Sequence, residues 1–303
     1  MTDTDGAVVL LDGGMGQELR KRRAAAPTPL WSGQVMADDP ELVTAVHRDF
    51  IQAGAEVLTA NTYALTPQRL ARDGDPARLA ELHNLALDAA HAARDTTAGT
   101  VRIAGCLGPL VASYRPDLVP DEVACADGYR RLVETQAPRV DLFLAETLST
   151  VREARIATAA AVASGHAAWT ALTVRDDDGT RLRSGEKVRD GAAAALDAGA
   201  AAVLVNCSIP EAVSRAVDEI VTLGAPVGAY ANGFEPAGEL RPDGTVDDLT
   251  ARTDLDPEAY AHHAMGWVEA GAGIVGGCCE VGPAHIAAIA HRLDAAGLRR
   301  TAP

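Results

Sequence analysis

The chain has 303 residues, 48% of them hydrophobic, and a formal net charge of −15. That apolar content suits a globular core and excludes a disordered chain, while the negative field argues against nucleic acid and an anionic membrane surface as partners. There is no apolar run of about 18 residues, the length a membrane span needs, and the opening MTDTDGAVVL has no basic segment ahead of its apolar stretch, so the expectation is a cytoplasmic protein without a secretory signal.

Short β-type runs then recur along the chain: VVLLD (8–12), AEVLTAN (55–61), VRIAGC (101–106), DLFLAE (141–146), AAWTALTV (167–174), AAVLVNC (201–207), APVGAYAN (225–232) and AGIVGGCC (272–279). Between them lie PELVTAVHRDFIQAGA, PARLAELHNLALDAAHAAR, TVREARIATAAAVASG and PAHIAAIAHRLDAAG, whose apolar residues repeat with helical spacing. Strand then helix, about eight times over, predicts an α/β protein built as a single (β/α)8 TIM-type barrel spanning 1–303, with an open doubly wound sheet as the other arrangement of the same pattern. Residues 20–36, 175–191 and 233–256 read as long loops, of the kind that serve a site or move.

In such a barrel the C-terminal strand ends share one face, and that face carries the active site. The residues at or just past those ends are Asp12 with Gly13 and Gly14, Asn61 with Thr62, Cys106, Glu146 with Thr147, Thr173, Asn206 with Cys207, Asn232, and Cys278 with Cys279. Polar loops are ordinary; a concentration of cysteines at one rim is not. Cys207 and the adjacent pair would meet only if the chain turns at the pair, since neighbouring strand residues point to opposite faces, and Gly276 and Gly277 are the residues expected to permit that turn. Three thiolates converging on one point suit a zinc ion with a fourth position open for a reactant. The alternative is that Cys207 is a small packed hydrophobe and the vicinal pair is incidental. Cys125 falls in a helical segment and reads as structural, Cys106 as core or pocket wall. His47, His262, His263 and His285 read as solvated or hydrogen-bonded helix residues and not as ligands.

The combination LLDGGMGQEL, LWS at 30–32, H-x-x-F-I-x-A-G-A-E-V-x-x-x-N-T-Y at 47–63, LAETL at 144–148, VNCS at 205–208 and GGCCEVGPAHI at 276–286 resembles the homocysteine S-methyltransferase family across essentially the whole chain. The resemblance implies a zinc-dependent barrel in which Cys207, Cys278 and Cys279 hold the ion and homocysteine supplies the fourth ligand through its thiol. It assigns the amino acid end of homocysteine to Asp12, the Gly13 backbone and Glu146, and makes Thr62 and Asn206 pocket residues. It also implies methyl transfer from a sulfonium donor, S-methylmethionine or S-adenosylmethionine; a desolvated, aromatic-lined site would favour loss of the sulfonium charge, and Trp31 and Tyr63 are the candidates for that wall. Ala64 stands near the aromatic contact of the betaine-using branch, and folate- and cobalamin-binding modules are lacking. ANGF at 231–234 departs from the family's PN-type sequence, which points to an altered donor pocket. Two rival expectations share the barrel: a zinc hydrolase acting through a metal-bound water, and a non-catalytic scaffold with a closed zinc site, in which Cys106 would be the fourth ligand.

Overall fold

The computed structural model describes residues 6–23, 30, 32–97, 99–237 and 249–299. All eight expected runs form strands: β1 Val9–Leu10, β2 Val57–Thr59, β3 Arg102–Leu107, β4 Leu142–Leu148, β5 Ala168–Leu172, β6 Ala202–Asn206, β7 Val227–Tyr230 and β8 Ile274–Val275. They pair in parallel in the order β1-β8-β7-β6-β5-β4-β3-β2. A parallel bridge between Leu11 and Val57 joins the remaining two edges. The ring therefore closes, and the doubly wound alternative falls.

The period of two along the strands divides the core. Leu11, Val57, Ala104, Leu142, Leu144, Trp169, Ala171, Ala202, Leu204, Tyr230 and Ile274 form one buried cluster, the barrel interior. Their neighbours, including Ile103, Phe143, Ala145, Val203 and Val205, belong instead to the larger cluster packed under the helices. Continued to the rim, the inward register delivers Cys106, Glu146 and Asn206 to the C-terminal mouth.

Helices cover the outside: α1 Met15–Arg22, α2 Ser32–Asp38, α3 Pro40–Gln52, α4 Pro67–Asp73, α5 Leu79–Arg94, α6 Glu122–Gln136, α7 Val151–Ala163, α8 Val188–Asp197, α9 Pro210–Ile220, α10 Pro257–Glu269 and α11 Pro283–Ala295. Their starts are written locally. The side chains of Asp39, Thr66, Asp121, Thr150 and Asp256 each accept from the backbone N–H three residues on, at the head of α3, α4, α6, α7 and α10. Proline occupies the first turn of α3, α4, α9, α10 and α11, where its missing N–H costs nothing.

The structure corrects the loop at 20–36. Residues to Arg22 belong to α1 and those from Ser32 to α2, so helix occupies much of the segment; residues 24–29 and 31, Trp31 among them, lie outside the described residues. The loop at 175–191 folds back on itself through bridges between Val174 and Leu182 and between Arg181 and Lys187 before α8 begins. In 233–256, Phe234 bridges Ala251, while 238–248 lie outside the described residues.

Candidate metal centre and substrate cleft

β6 ends at Asn206, and the next residue, Cys207, takes a left-handed backbone with φ 52°. That kink turns its thiol toward the end of β8. There the chain makes a tight turn, Val281 N–H donating to the Cys278 carbonyl at 3.1 Å. Gly276 and Gly277, the residues expected to permit the turn, do so without positive φ; Glu280 takes it, at 64°. The glycines are needed for room. A Cβ on Gly276 would sit 2.6 Å from Leu11 Cβ, and one on Gly277 2.1 Å from Val281 Cγ1, so β1 and the turn can close over the backbone only if both side chains are absent.

The result is a cluster of Cys207, Cys278 and Cys279 whose sulfurs all lie within 4.8 Å of one another. Cys278 Sγ is 2.8 Å and Cys279 Sγ 4.0 Å from Cys207 Sγ. These separations straddle the edge of about 3.8 Å that a tetrahedron with Zn–S bonds near 2.3 Å would have. Hydrogen bonds from Cys278, then Cys279, hold the Cys207 thiol well below its ordinary pKa, with a further contribution from the Tyr114 hydroxyl. An all-sulfur donor set fits a soft or borderline divalent cation. No histidine or carboxylate joins the trio among the described residues.

The trio forms one wall of a cleft of about 790 Å³, counted out to its open mouth. Asp12, Gly13 and Glu146 line the same cleft, with Gln17, Asn61, Tyr63, Tyr114 and Tyr230. Asp12 accepts from Thr59 N–H at 2.8 Å and from Thr59 Oγ1 at 3.1 Å. Burial pushes its carboxyl up to about 8 against those bonds, and the charge of Glu146 adds to the rise. Glu146 receives one hydrogen bond on each oxygen, from Cys106 Sγ at 3.0 Å and from Tyr230 Oη at 3.1 Å. Desolvation still raises it to about 7, assisted by the charge on Cys207. Two carboxylates held partly protonated in one apolar cleft form a receptor for a cation such as an ammonium group.

Glu146 owes its direction to an irregularity. The pairing of β4 with β5 shifts register between Ala145 and Leu148, Thr147 lies in the left-handed region at φ 62°, and a bulge of this kind re-aims the neighbouring side chain. Asn206 holds it from β6: its Oδ1 accepts from Thr147 N–H at 2.9 Å and its Nδ2 donates to Thr147 Oγ1 at 3.0 Å. Asn206 is thus fully buried and braces the Glu146 turn without touching the cleft.

Thr62 is likewise placed behind the wall and not in it. Its hydroxyl donates to Gln136 Oε1 at 3.1 Å, tying β2 to α6, and the cleft is lined by Asn61 and Tyr63 on either side. Cys106 stays with Glu146 and outside the sulfur cluster, so it does not close a fourth corner. Tyr63 presents its ring to the cleft, its hydroxyl paired with Ser113 at 2.8 Å and the Arg69 guanidinium 5.4 Å from its centroid. His285 is hydrogen-bonded, as anticipated. His47 is neither solvated nor hydrogen-bonded. It is fully buried with both ring nitrogens unpartnered, and burial lowers it to about 4, so it sits neutral inside the helix layer.

Several residues of the site carry no sequence signal. Tyr230 shows only as an inward strand position. Tyr114, in VASYRP after β3, reaches the Cys207 sulfur at 3.1 Å. Gln17, on α1, borders the cleft with both atoms of its carboxamide unpartnered.

Comparison with known proteins agrees with this geometry. Residues 9–293 match the family model described as homocysteine S-methyltransferase. The homocysteine S-methyltransferase of Escherichia coli K12 is 31% identical, the match covering 94% of this chain and 95% of the relative. A selenocysteine Se-methyltransferase of Brassica oleracea var. italica is 27% identical over 95% of this chain and 89% of its own. The crystal structure of the metallated form of the homocysteine methyltransferase MmuM from Escherichia coli superposes with a TM-score of 0.80 at 29% identity, covering 94% of this chain and 96% of that one. A chain with a three-cysteine cluster and the carboxylates of Asp12 and Glu146 in one cleft, on a barrel matched along nearly its whole length, belongs to the homocysteine S-methyltransferase family.

Proposed function

We propose that this protein is a zinc-dependent methyltransferase that moves a methyl group from a sulfonium donor, S-methylmethionine or S-adenosylmethionine, to the thiol of homocysteine, forming methionine. The observation that carries the reading is the cluster of Cys207, Cys278 and Cys279 on one wall of a cleft that also exposes Asp12 and Glu146. Those three cysteines would hold the zinc, which when bound supplies deprotonation of the acceptor thiol at neutral pH.

The protein's own groups do the rest. Asp12 and Glu146 bind the acceptor's ammonium group, and their raised pKa values fall as it arrives. Gly13 offers backbone to the same end of the substrate, and the unpartnered carboxamide of Gln17 is available to its carboxylate. Thr62 and Asn206 act from behind, one through Gln136 and the other through Thr147. Ionising a thiol of pKa about 8.5 at neutral pH accounts for only about 2 kcal/mol of the barrier. Orientation of sulfur against methyl in a water-poor cleft can supply about 7–11 kcal/mol, and it is the larger contribution. A sulfonium loses its positive charge as the methyl leaves, so a wall that does not solvate that charge favours transfer. Tyr63 forms part of that wall.

Among the described residues the cluster lacks the histidine and carboxylate ligands that metal hydrolases recruit, and Cys106 is engaged with Glu146, which disfavours both a hydrolase and a closed structural site. The reading takes the chain as one homocysteine-binding barrel acting on small molecules in the cytoplasm; no described helix is long and apolar enough to cross a membrane. The test is a panel: zinc content by elemental analysis, and turnover of homocysteine and selenocysteine with S-methylmethionine, S-adenosylmethionine and betaine in turn. Stoichiometric zinc with turnover on a sulfonium donor is expected; turnover on betaine alone, or none with any donor, would overturn it.

A further inference from the structure

Tyr114 and Cys207 are 93 residues apart in sequence, yet the Tyr114 hydroxyl lies 2.8 Å from the Cys207 carbonyl and 3.1 Å from its sulfur. Both residues hold left-handed backbone, φ 59° and 52°. For side chains of this size that conformation is strained, and it persists only where the surroundings over-determine it. The surroundings here are specific. Asn232 Nδ2 approaches the phenol oxygen at 3.4 Å as a donor, which leaves the phenol's single proton to be shared between the carbonyl and the sulfur of Cys207. The Arg183 guanidinium lies 3.9 Å from the Tyr114 ring centroid. Arg183 is itself fixed, donating to Thr173 Oγ1, to the Ala237 carbonyl and to Asp176. A cation on the ring face draws electron density from it and makes the hydroxyl a stronger donor.

Among the described residues, Tyr114 is the one hydrogen-bond donor to a sulfur of the trio that is not itself a cysteine. Three thiolates around a divalent ion leave a net negative charge packed against apolar Phe234 and Leu249. A donor on one sulfur removes part of that charge. It also fixes which way the sulfur points, since the same hydroxyl grips the Cys207 carbonyl.

We propose that Tyr114, backed by Arg183 and Asn232, is a positioning residue for the metal centre: its hydroxyl locks Cys207 in its strained conformation and hydrogen-bonds its thiolate, setting the centre's affinity for the ion and the electron richness of one of its sulfurs. The proposal rests on the metal reading above. Loss of an outer hydrogen-bond partner typically weakens metal binding about 10- to 100-fold, so the full-length Tyr114→Phe protein should bind zinc weaker by that factor in a chelator competition. In the cobalt(II)-substituted protein the sulfur-to-cobalt charge-transfer band should move to longer wavelength, because a thiolate without its donor gives up charge more readily. A purely structural role would loosen binding without moving the band, so an unmoved band overturns the proposal, as does wild-type zinc affinity in the variant. If Tyr114→Phe fails to fold, judged by far-ultraviolet circular dichroism of the metal-free protein, fluorotyrosine introduced at position 114 keeps the shape and strengthens the donor. The band should then move to shorter wavelength, and an unmoved band again refutes the idea. Wild-type protein that takes up neither zinc nor cobalt would overturn the metal reading itself and this proposal with it, an outcome distinct from failure at Tyr114 alone.

Discussion

The two halves of the cleft solve opposite problems. On the sulfur side, Cys207, Cys278 and Cys279 are each within reach of another of the trio, and the chain accepts left-handed residues at Cys207 and Glu280 to bring them together. On the carboxylate side, Asp12 and Glu146 are held firmly by Thr59, Cys106 and Tyr230, yet burial keeps both protonated at pH values where carboxylates are normally ionised. On the proposed reading, one half is organised around a cation that stays and the other is left short of a cation that comes and goes with the substrate, the resident ion going to the sulfurs and the substrate's charge to the carboxylates.

Removing a sulfur should break this division most severely. Zinc bound by four protein ligands is stabilised by roughly 10–16 kcal/mol, so one ligand carries about 3 kcal/mol, or about 100-fold in affinity. Cys278→Ser is therefore expected to lose stoichiometric zinc by elemental analysis and all measurable methyl transfer. Retention of both would mean the trio is packing, not a centre. A carboxylate variant should act on the other half alone. Glu146→Gln is expected to raise the KM for homocysteine about 10- to 100-fold, the range for a lost charge-assisted contact of about 1.5–3 kcal/mol, while zinc content stays at the wild-type level. Loss of metal in that variant would show that the halves are not separate.

How much of this was legible in the sequence depended on whether the cause was local. The barrel was, because short apolar strand runs alternate about eight times with segments of helical spacing; the helix starts also carry their own caps, as at Asp39, Thr66 and Asp256. The trio was legible as sulfur placed at strand ends. What was not legible came from contacts between distant segments. Gly276 and Gly277 read as turn-formers, whereas their need is for space against Leu11 and Val281, which only the closed ring creates. Thr62 and Asn206 stand at strand ends beside residues that do face the cleft, but hydrogen bonds to Gln136 and Thr147, partners distant in sequence, hold their side chains behind the wall. His47 has ordinary helical spacing, and nothing local announces that α3 would bury it without a partner.

The finest test of the two-halves picture uses pH with a ligand that cannot touch the metal. Norvaline, which has the amino acid end and no thiol, should probe the carboxylates alone. Glu146, raised to about 7, and Asp12, raised to about 8, are both neutral near pH 6 and ionise as pH rises, Glu146 first because its charge opposes the second ionisation. A group of pKa near 7 is about one-tenth ionised at pH 6 and about nine-tenths at pH 8. An ammonium group binds the ionised form, so norvaline affinity should rise about tenfold over that interval, measured by calorimetry, with net proton release on binding. Glu146→Gln should flatten the lower part of the rise and leave the part near pH 8 to Asp12. A flat profile in the wild type, or proton uptake on binding, would mean that neither carboxylate meets the ammonium group and that the electrostatic contrast between the two sides of the cleft does not govern recognition.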